Sequence, residues 1–215
     1  MKNVLKTAYV IGNGSSREKF KLQDLKGRGK VFGCNALYRE YKDHILPDYL
    51  VAIDEDIIKE IQGSNFPKDR FINPPEDEKW EPVELHWGKS DKKDWNPARP
   101  RSNAGMNAIK EAIKKGFTTI YIFGFDFLVV SEKIAISNIF HGTECYGLDT
   151  RANLNDTRNR MNYLGWMIEQ NPDVKFHFCY PDMLIKSGIY TPDADNVSII
   201  AFHELYTLLL EHSDV

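Results

Sequence analysis

The chain has 215 residues, 28 Lys+Arg against 31 Asp+Glu, a formal net charge of −3 and 42% hydrophobic residues. That length suits one α/β domain, or one domain with an inserted lid, and buries about 70% of its unfolded surface without a disulfide or metal staple. The charge balance argues against a nucleic-acid binder, whose footprint would be strongly basic, and no apolar run approaches the ~20 residues of a membrane span. Met1-Lys2-Asn3-Val4-Leu5-Lys6 lacks the apolar core of a signal peptide. Cys34, Cys145 and Cys179 are odd in number and share no C-x-x-C spacing, as expected for reduced thiols of a cytoplasmic protein.

Thr7–Ile11 is the first predicted strand, and it opens abruptly into Gly12-Asn13-Gly14-Ser15-Ser16. Glycine reaches backbone angles that other residues avoid, and the N–H groups of such a turn can face an anion at close range. This reads as a phosphate or nucleotide site, although an ordinary strand-to-helix connection explains the stretch equally well. Arg17 to about Leu25 predicts a short, poorly patterned helix or turn. Lys30–Asn35 and Tyr49–Asp54 are two further strands, each an apolar body with a polar tip. Asp54-Glu55-Asp56 starts a helix to about Ile61, acidic where the helix dipole prefers it. Arg70–Asn73 reads as a fourth strand.

Residues 76 to 100 break this rhythm with charge, proline and tryptophan (Trp80, Trp87, Trp95). They read as an irregular flap, or as a solvated loop with its tryptophans packed beneath it. Ala104–Lys115 is an amphipathic helix with Ala108, Ile109, Ala112 and Ile113 at helical spacing, closed by Gly116. Thr119–Gly124 is a continuous apolar run, the kind buried on both faces of a parallel sheet, and Phe125-Asp126-Phe127 follows at its carboxyl end. Residues 128 to 154 read as a loop and possible lid segment. Asn155–Gln170 predicts a helix, Val174–Cys179 a strand and Phe202–Leu210 a last helix.

This alternation predicts one α/β domain over 1–215: a doubly wound, mostly parallel Rossmann-like sheet with helices on both faces and an irregular flap or lid. Ligands of such sheets sit outside the carboxyl ends of the strands, near the point where the strand order reverses. Gly12–Ser16, Asn35, Asp54, Asp126 and Tyr180 are the polar tips gathered there. Arg17 stands where a dinucleotide fingerprint would have its third glycine, and Asn35 stands where an acid would grip an adenosine ribose. NAD is therefore disfavoured, and no Walker A lysine is present.

Four ordered pieces carry a resemblance: Gly12-Asn13-Gly14-x-Ser16, Val31-Phe32-x-Cys34-Asn35, Arg101-x-Asn103-x-Gly105, and Gly116-Phe117-x-x-Ile120-Tyr121-x-x-Gly124-x-Asp126-Phe127. Together they are similar to the bacterial sialyltransferases of glycosyltransferase family 42 and to phage and archaeal proteins of the same fold, which include 6-hydroxymethylpterin diphosphokinase-like members. The resemblance spans most of the chain, with 76–100 and 128–154 poorly matched. It implies a CMP-sugar donor lying over the first turn and a glycan or small-molecule acceptor. Gly12, Asn13, Gly14, Ser15 and Ser16 would then approach the donor, and Asn35 would hydrogen-bond it, with Asp54 standing where the family has an asparagine. Asn103, Ala104 and Gly105 would open a helix against sugar and acceptor, with Arg101 adding a bidentate grip. Gly124, Asp126 and Phe127 would meet the nucleoside.

The family's catalytic histidine, ahead of the penultimate helix, aligns near Asp156. His141 is the nearest histidine, and Leu128 replaces an expected tyrosine for which Tyr146 would stand in. The resemblance thus implies a transferase with His141 or Asp156 as base and no required cofactor or metal. Two alternatives stay open. Asp54 and Asp126 would share Mg²⁺ in a diphosphotransferase, or a relative without its base would bind a nucleotide or glycan without turning it over. A homo-oligomer is compatible with either.

Overall fold

The structure is a computed structural model that describes residues 6–41, 47–74, 102–147 and 154–211. Seven strands form one sheet: β1 (Thr7–Ile11), β2 (Lys30–Cys34), β3 (Tyr49–Val51), β4 (Phe71–Ile72), β5 (Thr119–Phe123), β6 (Lys175–Tyr180) and β7 (Val197–Ala201). Their order is β4-β3-β2-β1-β5-β6-β7, and every adjacent pair is parallel. Strand order therefore runs outward in both directions from the β1–β5 seam, the topology of a Rossmann-like α/β fold.

Both faces of the central strands are covered, which is why β1 and β5 read as continuous apolar runs rather than alternating ones. On one face Ala8, Val10 and Ile122 meet α2 (Ala104–Lys114) and α4 (Leu154–Glu169) through Met106, Ile109, Tyr163, Leu164 and Met167. On the other, Tyr9, Ile11 and Phe123 meet α1 (Glu55–Gly63), α6 (Phe202–Glu211) and the segment 15–25 through Ile57, Leu205, Phe20 and Leu25. The core is thus two apolar layers with the sheet between them.

The elements differ from expectation in particular places. The helix or turn expected over Arg17–Leu25 is two 3-10 turns, Ser15–Arg17 and Leu22–Leu25. The third strand stops at Val51 because its outer partner β4 is two residues long, and the ladder closes with the Ala52 N–H on the Ile72 carbonyl at 3.2 Å. Ile53 and Asp54 are thereby released toward the ligand side of the sheet. The loop expected over 128–154 contains α3 (Glu132–Ala135) and an antiparallel bridge from Val129 to Ile189. α5 (Asp182–Ser187) and the edge strand β7 have no counterpart in the sequence reading. The excursion at 76–100 lies outside the described residues.

Candidate functional site

A cavity of about 520 Å³ opens at the carboxyl ends of the strands, over the β1–β5 seam. The turn after β1 forms its floor, and the glycines there have a structural reason. The Gly12 N–H donates to the Phe123 carbonyl at 2.8 Å and the Gly14 N–H to the Gly124 carbonyl at 3.0 Å. A Cβ on Gly12 would stand 2.6 Å from the Gly124 oxygen, and one on Gly14 would stand 2.3 Å from the Asp126 Cγ. The turn lies flush on the end of β5, and only glycine permits that approach. Gly12, Gly14 and Gly124 line the cavity, but the Gly12 and Gly14 amides are engaged by the Phe123 and Gly124 carbonyls.

Asp126 completes this brace. It is 3% exposed and accepts from the Ser16 N–H at 2.9 Å, the Ser137 hydroxyl at 3.0 Å and the Ser15 hydroxyl at 3.5 Å. The Ser16 hydroxyl donates to its other oxygen. Burial pushes the carboxyl above its ordinary range, and the bonds from the three serines oppose that shift. Ser15 and Ser16 therefore face Asp126, not the cavity, and Asp126 acts first as the acceptor that shapes the turn. Phe127 lies beside it on the cavity wall.

Asn35 follows β2 directly and stands in the left-handed region, at φ +50°, a conformation uncommon outside glycine. Its side chain lies beside the Asp54 carboxylate and the Tyr146 oxygen and lowers the pKa of each. Its Oδ1 is buried and has no hydrogen-bond partner among the described residues. The Tyr146 oxygen accepts from the Asn13 Nδ2 at 3.3 Å. Burial, with Cys34 nearby, raises the phenol far above its ordinary pKa. The segment carrying Tyr146 is clamped by Arg39, which reaches the Thr143 hydroxyl and the Glu144 carbonyl, each at 2.9 Å, and pairs with Glu60 on α1. Tyr146 is thus a wall of the cavity.

Asp54 occupies the N-cap position of α1, where an aspartate ordinarily accepts from the first-turn amides. Here its side chain makes no cap hydrogen bond. The residue is exposed, yet its carboxylate is drawn into the cavity mouth beside Asn35. Loss of water there raises its pKa, Asp56 adds to the rise, and the Asn35 amide and Arg160 oppose it.

The facing wall is the start of α2. Asn103 caps it, its Oδ1 accepting from the Met106 N–H at 2.9 Å, and Ala104 and Gly105 line the cavity. Gly105 is required by packing as well, because a Cβ would stand 2.9 Å from the Phe125 ring. Arg160, on α4, supplies a cation that the sequence reading missed. Its one available signal was an arginine a single turn beyond Asp156 on a predicted helix. Asp56, Ile57 and Ser137 also line the cavity without having been singled out.

Of the expected catalytic residues, His141 does not join this group, and the Asp156 side chain and Arg101 lie outside the described residues. His141 is exposed, with its N–H on the Asn138 carbonyl at 3.1 Å, and is not among the lining residues. Asp156 falls in the first turn of α4. Among the described residues, no group of three His, Cys, Asp or Glu side chains is placed to hold a metal ion, and no helix is long and apolar enough to cross a membrane. No family model, curated protein or solved structure matches this chain.

Proposed function

We propose that this chain is a nucleotide-sugar-dependent glycosyltransferase, sialyltransferase-like, that moves a sugar from a CMP-type donor to a hydroxyl of a glycan or small-molecule acceptor. The observation that carries this reading is the buried, unpartnered Oδ1 of Asn35 at the end of β2. A buried acceptor without a donor costs about 1–3 kcal/mol, and the cytosine amino group or a ribose hydroxyl is a donor of the right kind. The cavity volume falls within the range of small-molecule sites. Its position over the seam is where open α/β sheets bind nucleotides. The start of α2 and Arg160 give the anionic part of such a donor a favourable wall.

The diphosphotransferase alternative asks Asp126 to ligate a cation together with Asp54. Both Asp126 oxygens already accept hydrogen bonds from serines, so the geometry favours glycosyl transfer.

Calorimetric titration with CMP, UDP, GDP and ATP, with and without Mg²⁺, tests the proposal. CMP is expected to bind most tightly, without need of Mg²⁺, and Asn35→Ala to weaken it by about tenfold or more, the equivalent of ~1.4 kcal/mol. Indifference to all four nucleotides under both conditions would overturn it.

A further inference from the structure

Resting on that nucleotide reading, we infer that Arg39 is a positioning residue of this cavity: its guanidinium ties the turn that carries Tyr146 to α1 and so sets how tightly a nucleotide is held. Neither Arg39 nor Glu60 is among the lining residues. Tyr146 is one of them, and its oxygen accepts from Asn13 on the cavity floor at 3.3 Å. Arg39 itself belongs to the 3-10 segment Asn35–Tyr41, which opens with the cavity residue Asn35.

The turn needs such a tie because it buries little. Residues 141–145 are all exposed, between a buried Phe140 and a half-buried Tyr146. The turn closes on itself, with the Gly142 N–H on the Tyr146 carbonyl at 2.7 Å and the Tyr146 N–H on the Thr143 carbonyl at 2.9 Å. Its upstream end is anchored to the cavity floor. There the Ile139 N–H donates to the Asn13 carbonyl at 2.9 Å and the Ser137 hydroxyl to Asp126 at 3.0 Å. Past Phe140, apolar burial no longer holds the chain, and an exposed stretch with few buried contacts opens at low cost.

Arg39 supplies the fixing. Its Nε donates to one Glu60 oxygen at 2.7 Å and its Nη2 to the other, a fork that sets the guanidinium plane against α1. The same group reaches the turn: Nη1 donates to the Thr143 hydroxyl and Nη2 to the Glu144 carbonyl, each at 2.9 Å. Its central carbon lies 5.9 Å from the centroids of the Phe140 and Tyr146 rings, within cation–π range. Glu60 is held in turn by the Tyr38 hydroxyl and, at 3.3 Å, by the Cys145 thiol. The Arg39 and Glu60 side chains are 20% and 19% exposed, so salt screens this pair less than an open surface one. A lysine would keep the charge, but one ammonium cannot serve Glu60 and two atoms of the turn from a single plane.

The test uses the full chain, with CMP as the calorimetric probe and amide hydrogen exchange measured without ligand. Arg39→Lys is expected to speed exchange at Gly142 and Tyr146 about tenfold, with Gly12 and Gly14 unchanged. The same variant is expected to bind CMP about fivefold more weakly, and Thr143→Val, which leaves the ion pair intact, about threefold. Placing Arg39→Lys in a Tyr146→Ala chain is expected to add no further loss, because the two residues act as one unit. Wild-type CMP affinity in either single variant overturns the assignment, as does unchanged exchange at Gly142 and Tyr146. Additive losses in the double variant overturn it as well, since Arg39 would then act on the fold at large. If Arg39→Lys does not fold, affinity and exchange in Thr143→Val decide. A wild type that binds no CMP removes the proposed function itself and the role of Arg39 with it.

Discussion

At the scale of single residues, Tyr9, Tyr121, His177 and Ser198 stand in register across four neighbouring strands. Tyr9 stacks on Tyr121 at 5.4 Å, Tyr121 meets His177 at 4.8 Å, and the His177 Nδ1 lies 2.6 Å from the Ser198 hydroxyl. Burial, with Lys175 nearby, lowers the His177 pKa below its ordinary 6.5. Between that lowered value and 6.5 the unfolded chain binds more protons than the folded one, so stability rises with pH through this window. The contribution is complete above about pH 6.5 and is lost as pH falls through the folded value. Urea unfolding from pH 7.5 to 5 should show this loss, at no more than about 1.4 kcal/mol per pH unit from this group. His177→Gln should flatten that part of the curve, and an unchanged slope would show that other groups carry it. The ladder was invisible in sequence, since nothing local to residue 177 marks it as half-buried or sets Ser198 beside it.

At the scale of elements, the turn after β1 is held from both sides. Arg17, the residue that breaks the dinucleotide fingerprint, is 3% exposed, donates to the Gly12 carbonyl at 2.6 Å and forks onto Glu40 at 2.6 and 3.1 Å. Sequence reading saw only that a third glycine was missing. The fold explains the arginine as a strut from the first turn to the 3-10 segment Asn35–Tyr41, which begins with Asn35. Arg17 is the buried partner and Glu40 the more exposed one, so removing Glu40 leaves a buried guanidinium uncompensated. The glycines give a sharper test. Gly14→Ala should cost about 1–3 kcal/mol through overpacking against Asp126. Gly63→Ala, at the end of α1 with nothing within 4 Å of its added Cβ, should be neutral or stabilise by up to about 1 kcal/mol. Thermal or chemical unfolding of the two variants separates a glycine demanded by close approach from one that is not.

At the scale of the molecule, the cavity is assembled from chain segments that meet only in the fold: the β1 turn, the tips of β2 and β3, the starts of α1 and α2, the end of β5, and α4. A nucleotide seated there should stabilise the whole domain. At CMP concentrations 100 times its dissociation constant, linkage predicts about 2.7 kcal/mol, or a rise of roughly 5–10 °C in Tm for a domain of this size. Asn35→Ala should shrink the rise at the same CMP concentration, and differential scanning fluorimetry reads both.

The sequence by itself determined the α/β alternation, β1, β5 and the amphipathic α2, because an apolar run or a helical period is a local property of the chain. It also marked Gly12–Ser16, Asn35, Asp54 and Asp126 as polar tips of strands. α5 and β7 escaped it: one is six residues long, and the other sits at a sheet edge with its side chains only half-buried apart from Ala201. What tertiary structure alone decided is which of the polar tips are already satisfied. Ser16 and Asp126 are 110 residues apart in the chain, and Asn13 and Tyr146 are 133 apart. Hydrogen-bond saturation belongs to such distant pairs, so Asp126 and the glycine amides are engaged within the fold while Asn35 Oδ1 is left as an unpartnered acceptor and the Asp54 carboxylate faces the cavity.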